Sequence, residues 1–438
     1  MYHAAMNTFN IPAAILLLAA ISAPAIGDNT PLTATETAAG WKMLFDGTSN
    51  AAFKSYSGKD GKMPAKGWTV EGGELRCAKG GGDIETIDEF EDFEFTAEFK
   101  CAPGANSGIM YRVADGQDFP WRTGPEFQLL DDALHADGKD PKHRAGALYD
   151  LIAPPPTEPG AKLLAPAEQW NTARVRLSGG LLQHFLNGVK TAEVRVDGPE
   201  WKDMIAKSKF KDMPGFGMEK KGHIALQDHG DEVAFRNIRV RDLRAKLPGE
   251  VSLFNGKDFE GWTWFTNDEG KTALADVFSM RDGLVSDKGA PNGYIATTAL
   301  YTSYVLRVAW RWDAPPAKAA NSGVLLRVVP KDEVWPRAIE AQLMAGNAGD
   351  FYSIGNFPMK GDPTRSKGRH VAHTKGNERP QGEWNEYEIL VDGGTIVLNV
   401  NGEELNRATE CEVVHGRIAL QSEGGQIWFK DVRLVPLK

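Results

Sequence analysis

The sequence predicts an all-β protein built as two tandem two-sheet sandwiches of jelly-roll type. Three observations lead there. Short alternating or β-branched runs recur along the chain: "FEFTAEFK" from Phe93, "ARVRLS" from Ala173, "LLQHFLN" from Leu181, "HIALQ" from His223 and "AFRNIRVRDL" from Ala234. Their period of two is that of half-buried strands. Turn formers punctuate them, with 47 Gly and 25 Pro in 438 residues and "SGG", "DGG" and "NG" at hairpin positions. The third observation is that the chain repeats itself.

Gly222–Leu243 aligns without gaps on Gly416–Leu437. The two share the glycine, the run Ile-Ala-Leu-Gln, and then Gly230/Gly424, Phe235/Phe429, Arg239/Arg433 and Leu243/Leu437. Other pairs keep the same order: "LFDG" at Leu44 with "LFNG" at Leu253, "NSGIMYRV" at Asn106 with "NSGVLLRV" at Asn321, and "EFQL" at Glu126 with "EAQL" at Glu340. "QWN" at Gln169 matches "EWN" at Glu383, with the distance to the following Asn-Gly preserved. A repeat of this length marks two domains, not one large one.

The elements follow in order. Ile11–Ile21 is an apolar run too short to span a bilayer comfortably, followed by Ala25-Ile26-Gly27 and Asp28. That is the layout of a secretory signal peptide over residues 1–27, so the protein is expected to be exported, periplasmic or secreted. No cysteine follows the run, which argues against a lipid anchor. The first copy then occupies residues 28–245 and the second 246–438, joined where Pro248-Gly249 breaks the chain. Within the first copy, residues 198–220 depart from the strand pattern. Trp201, Met204 and Ile205 fall at helical spacing, predicting a short amphipathic helix that the second copy lacks.

A net charge of -9, 42% hydrophobic and 25% charged residues describe an ordinary globular protein. That charge argues against nucleic acid or an anionic membrane as partner, and no later stretch is apolar enough for a membrane span. Cys77, Cys101 and Cys411 read as buried thiols, although a Cys77–Cys101 disulfide is open if their strands are neighbours. Arg236, Arg239 and Arg241 alternate like an exposed strand face, and Trp170 reads as core.

The motifs "LFDG", "NSGI.YR", "EFQLLDD", "GALYDL.AP", "QWN", "HFLNG" and "GHIALQDHGD…FRNIRVR" together resemble the 3-keto-disaccharide hydrolase family, which has a concanavalin A-like jelly-roll fold. The likeness covers essentially all of the first copy and, more weakly, the second. It implies an oligosaccharide or glycoside substrate whose sugar is oxidised to a ketone at C3. The ketone acidifies the C2 hydrogen. A base removes it, the C1 substituent leaves, and water addition completes a net hydrolysis.

Such chemistry asks for a base, an acid for the leaving oxygen, and polarisation of the C3 carbonyl, which a divalent metal ion could supply. No spacing in the sequence is diagnostic of a metal site. Glu126, His229, His184 and Asp131 are the catalytic candidates. Gln128, Arg112, Asp132, His135, Tyr149, Asp150 and Gln227 are the candidates for substrate binding. If Glu126–Leu130 and His223–His229 are strands, Glu126 and Gln128 share one face, and Gln227 and His229 share another. In the second copy Glu423 stands for His229, Leu398 for His184 and Ala345-Gly346 for Asp131-Asp132. Glu340, Gln342, Arg327 and Gln421 are retained there. The second copy is thus expected to be a diverged or sugar-binding domain, with Trp335, Trp262 or Trp264 as stacking platforms. A retaining glycoside hydrolase would need a second carboxylate beside Glu126, and the alternate position is Gln128. A non-catalytic carbohydrate-binding protein is the remaining alternative.

Overall fold

The computed structural model describes residues 29–56, 58, 60–157, 162–268, 270–313 and 320–437. The expected signal segment lies outside the described residues. Two antiparallel sandwiches are present, each made of two sheets. In the first, an outer sheet runs in the spatial order Val189–Arg195, Leu181–Leu186, Asn171–Ser178, Phe93–Cys101, Val233–Asp242, Glu74–Cys77, Trp68–Glu71. Lys42–Phe45 also pairs with Val233–Asp242. The facing five-stranded sheet runs Phe53–Ser55, Ile84–Thr86, His223–Leu226, Asn106–Val113, Glu126–Leu130. The second sandwich repeats this plan. Tyr304–Trp312, Ile427–Pro436 and Asn385–Asp392 lie in its outer sheet, and Arg417–Ser422, Gly323–Val328 and Ala338–Gln342 in the facing one.

Alternation explains the packing. Phe93, Phe95, Ala97 and Phe99 point inward and meet Ile109, Tyr111, Phe127, Leu129, Ile224 and Leu226 from the opposite sheet, all of them fully buried. Each large side chain so placed contributes about 1.5–3 kcal/mol relative to exposure. Cys77 and Cys101 both pair with Val233, from opposite sides, so a whole strand separates them. Two strand spacings of about 4.8 Å exceed the reach of a disulfide, and all three cysteines are buried free thiols.

The predicted helix exists as Pro199–Ala206, with proline in its first turn. Trp201 anchors it: the ring is buried, and its Nε1 donates to the Gly217 carbonyl at 3.2 Å. Gly217 has a φ of +66°, and a Cβ there would lie 2.5 Å from the indole. Trp170, by contrast, is not core. It is half-buried, with the Arg236 guanidinium 4.1 Å and the Lys100 ammonium 4.7 Å from the ring centre.

The outer sheets of the two sandwiches meet back to back, and charged side chains join them. Arg241 donates to Glu94 of its own sandwich and to Glu388 of the other at 2.7 Å each. Arg176 pairs with Glu386, and Ser178 Oγ donates to Glu386 at 2.6 Å. Burial pushes the Glu94 and Glu386 carboxyls up, yet the arginines outweigh it and hold both well down, Glu386 at about 2. The arginines read as an exposed face are instead ion-paired: Arg241 pairs across the seam, while buried Arg236 pairs with Glu98 and Arg239 with Glu36 of their own sandwich. A cavity of about 1170 Å³ lies along the seam, lined by residues such as Arg241, Arg307, Glu386 and Glu388 whose charges are already paired. Glu126 and Glu340 are not among its walls. They stand on the sheets that face away from the seam, Glu126 on the five-stranded one and Glu340 on its eight-stranded counterpart.

Candidate active site

The strand Glu126–Leu130 sends Phe127 and Leu129 into the core and Glu126 and Gln128 to the outer face of its sheet. Glu126 lies directly over Gly108, where a Cβ would stand only 2.0 Å from Oε1. Glycine is required there because the carboxyl occupies the space that any other side chain would take. Glu126 is 7% exposed. Burial pushes its carboxyl up to about 8, with Asp83 adding to the shift and Lys209 opposing it. Beside it, Gln128 Nε2 is 3.2 Å from Asn106 Oδ1. With the amide turned over, its NH₂ reaches Glu126 Oε1 at 3.1 Å.

Across from Glu126 runs the loop that carries Tyr149, whose N–H donates to the Glu126 carbonyl at 3.1 Å. The His143 ring stacks on the tyrosine at 4.6 Å, and Lys209 Nζ stands 4.0 Å from the tyrosine ring centre. Asp150 holds this group together. It accepts the Lys209 N–H at 2.7 Å and lies 3.2 Å from His143 Nε2. Burial raises the Tyr149 phenol, helped by Glu126, Asp137 and Asp150, and Asp137 is hydrogen-bonded to it. Burial lowers the Lys209 ammonium, against the pull of Glu126, Asp150 and Asp137. Asp137 N–H in turn donates to His135 Nδ1 at 3.2 Å, and the rings of His135 and exposed His229 meet edge to face at 6.5 Å. A carboxyl poised near neutrality, a phenol beside an ammonium, and two imidazoles at the rim are the parts that proton transfer next to a carbonyl requires.

Comparison with known proteins gives the family. The model of the 3-keto-alpha-glucoside-1,2-lyase-like domain matches residues 40–241 and again 249–435. The chain belongs to that family. It carries two tandem domains of it. A 3-keto-disaccharide hydrolase of Bacteroides thetaiotaomicron is 34% identical over 236 residues, covering 47% of this chain and 79% of the relative. Two crystal structures of candidate glycosyl hydrolases from Parabacteroides distasonis are also similar. One is 30% identical, covering 50% of this chain and 100% of its own at a TM-score of 0.45. The other is 29% identical, covering 46% and 99% at 0.36. At the level of the family, the chain is a carbohydrate-active hydrolase.

In this 3-keto-alpha-glucoside-1,2-lyase-like domain, the structure gathers Glu126, Gln128, Tyr149 and Asp150, with the His135 and His229 rings beside each other; Gln227 donates its backbone N–H to the Gly108 carbonyl at 3.0 Å. Several other sequence-derived candidates stand elsewhere. His184 is fully buried between the sheets, 2.7 Å from the Tyr111 hydroxyl and packed on Phe127. Burial lowers its imidazole to about 3, so it stays neutral and structural. Asp131 ties loops together, accepting from Gly104 N–H at 2.8 Å and Ala133 N–H at 3.1 Å. Asp132 does likewise for Ala145 N–H at 2.8 Å. Arg112 sits at a β-bulge with a φ of 57°, which aims its guanidinium at the Glu219 carbonyl. Arg327 repeats that bulge in the second copy, donating to the Glu412 carbonyl at 2.6 Å and the Thr302 carbonyl at 3.2 Å. Gln342 accepts two backbone N–H groups at 2.9 Å. Trp262 is core, stacked on Phe254 at 4.4 Å with its Nε1 on the Leu253 carbonyl, so it is no sugar platform; Trp264 is half-buried and Trp335 exposed.

The sequence reading missed Lys209, His143 and Asp137. All three come from loops and a helix extension without periodicity. The only hint was that the insertion carrying Lys209 is special to the first copy. It also missed a group at the opposite end of the face, where atoms of Glu85, Asp115 and His223 lie within 4.8 Å of one another. That geometry admits a divalent ion, but Lys54 Nζ already stands 3.2 Å from Glu85 Oε1 and 3.8 Å from Asp115. The lysine supplies the positive charge that a metal would bring.

Proposed function

We propose that the first domain cleaves glycosides whose sugar carries a ketone at C3, with Glu126 as the base for C2–H. The observation that carries this reading is a single buried glutamate, raised to about 8, in register with a tyrosine that has an ammonium against its ring. A carboxylate of that basicity matches a proton on carbon beside a carbonyl better than an ordinary one does. As Glu126 takes the C2 proton, the electron pair moves toward the C3 oxygen. The Lys209 ammonium and the Tyr149 hydroxyl stabilise the resulting enolate. Collapse of the enolate expels the C1 oxygen, which takes a proton from His229 and leaves a C1=C2 enone. Water then adds, with hydroxyl at C1 and hydrogen at C2, so one water is consumed for each bond cleaved.

Retaining hydrolysis of an unoxidised glycoside fits less well, because it needs two carboxyl groups about 5 Å apart. The neighbour of Glu126 on its face is Gln128. The test is to incubate the whole protein with a 3-keto-glucoside and with the parent glucoside, following products by NMR. Turnover of the keto substrate alone is expected, and Glu126→Gln should lower the first domain's kcat by about 10²–10⁴-fold. Equal turnover of the parent glucoside would overturn the reading. So would binding of the keto compound without cleavage at any pH.

A further inference from the structure

The second domain rebuilds the same assembly from different parts of the chain. Glu340 is opposite Tyr352 in the strand register, as Glu126 is opposite Tyr149. It lies over Gly323, where a Cβ would meet Glu340 Oε1 at 2.6 Å and Gln421 Oε1 at 2.8 Å. His370 stacks on Tyr352 at 4.5 Å, as His143 does on Tyr149 at 4.6 Å. The Arg369 guanidinium lies 5.7 Å from the Tyr352 ring centre, in the role that Lys209 has in the first domain. Asp350 reaches His370 Nε2 at 2.7 Å, as Asp150 reaches His143.

The sources of these groups differ. His143 precedes its tyrosine, and His370 follows its own on a later strand. No linear alignment of the two copies pairs these histidines. A second observation points to a ligand. Gln421 is 1% exposed, yet both its Oε1 and its Nε2 lack a hydrogen-bond partner, and Glu340 Oε1 lacks one too. Three unpartnered polar atoms converging over one glycine are costly unless something else completes them.

We propose that the second domain holds a second active centre for a 3-keto-glycoside, with Glu340 as base and Glu423 in the place of His229. The proposal rests on the reading of the first domain. Burial raises both glutamates, Glu340 to about 8 with Glu423 adding to the shift and Arg369 opposing it. Glu340 takes the C2 proton, the C1–O bond breaks with its electron pair on oxygen, and that oxygen takes the Glu423 proton. Water addition to the enone then closes the balance as in the first domain. Arg369 stays charged throughout and stabilises the enolate as a fixed cation.

The test uses the full chain and a methyl 3-keto-glucoside, with Glu126→Gln, Glu340→Gln and the double variant compared by product NMR. Glu126→Gln is expected to keep a measurable rate that adding Glu340→Gln lowers at least tenfold. Tyr352→Phe in the Glu126→Gln background should lower it too, which covers the case of a misfolded Glu340 variant. A Glu126→Gln rate unaffected by both second-domain changes overturns the second centre alone, and so does a Glu126→Gln protein with no rate left. No turnover by the unmodified protein overturns the first-domain reading and this one with it.

Discussion

Set side by side, the two domains keep different things at different depths. The glutamate over its glycine, the tyrosine opposite it and the arginine at the left-handed bulge all recur, because backbone pairing at the glutamate strand and at the bulge fixes them. The cation and the imidazole recur as functions but from other segments, a loop and a 3-10 turn in the first domain and a short strand and its lead-in in the second. In the core, a polar pair has been exchanged as a unit. Tyr111 and His184 in the first sandwich correspond to Leu326 and Leu398 in the second, all fully buried. The lesson is that a buried hydrogen bond is tolerated or discarded whole, since half of one is the costly state.

Three experiments press on that comparison. The largest effect is expected at the glycines. Gly108→Ala puts a methyl 2.0 Å from Glu126 Oε1, but the atom it meets is the free end of a side chain, so the carboxyl moves and the fold survives. In a Glu340→Gln background, which silences the second centre, a loss of about 10²–10³-fold in kcat with little change in Tm is expected, because a misplaced base loses its alignment. An unchanged kcat would remove Glu126 from the chemistry.

Next is the core pair. His184→Leu alone leaves the Tyr111 hydroxyl unpaired and should cost about 2–3 kcal/mol in chemical denaturation. Adding Tyr111→Leu, which copies the second domain, should recover part of that cost as a favourable interaction energy of about 1–2 kcal/mol. A double variant as unstable as the sum of its singles would show that the domains differ for another reason.

The last comparison is of stability against pH. Glu126 and Glu340 both titrate near 8 when folded, above the value of about 4.5 for an unfolded glutamate. Each therefore contributes stability that is full below about 4.5 and is lost as pH rises through about 8. Glu126→Gln should make the protein more stable than the parent at pH 8 and leave it unchanged at pH 4. Glu340→Gln should behave alike. Urea unfolding at the two pH values reads the difference, and a variant stabilised equally at both would refute the burial of that carboxyl.

The alternation in "EFQLL" correctly sent Glu126 and Gln128 to one face, because a paired strand leaves its side chains no other choice. The same reasoning failed one strand away. His223–Leu226 ends before Gln227, since Asp228 turns aside to accept the N–H groups of Gly80, Gly81 and Gly82 at 3.0, 2.7 and 2.8 Å. Past that point, facing no longer follows from spacing. His184 was misread from its chemistry, although Leu182 and Leu186 on its own face marked that face as core.

By itself, the sequence determined the duplication, the all-β class, the family and the glutamate common to both halves, because each of these is written in local pattern or direct identity. Only the tertiary structure decided that His184 is core, that Arg241 of the arginine stripe joins two domains, and that Tyr149 and Tyr352 each meet a histidine and a cation. Those facts depend on which loops fold over which sheet. Contacts between segments far apart in the chain leave no period to read, and only the folded chain brings them together.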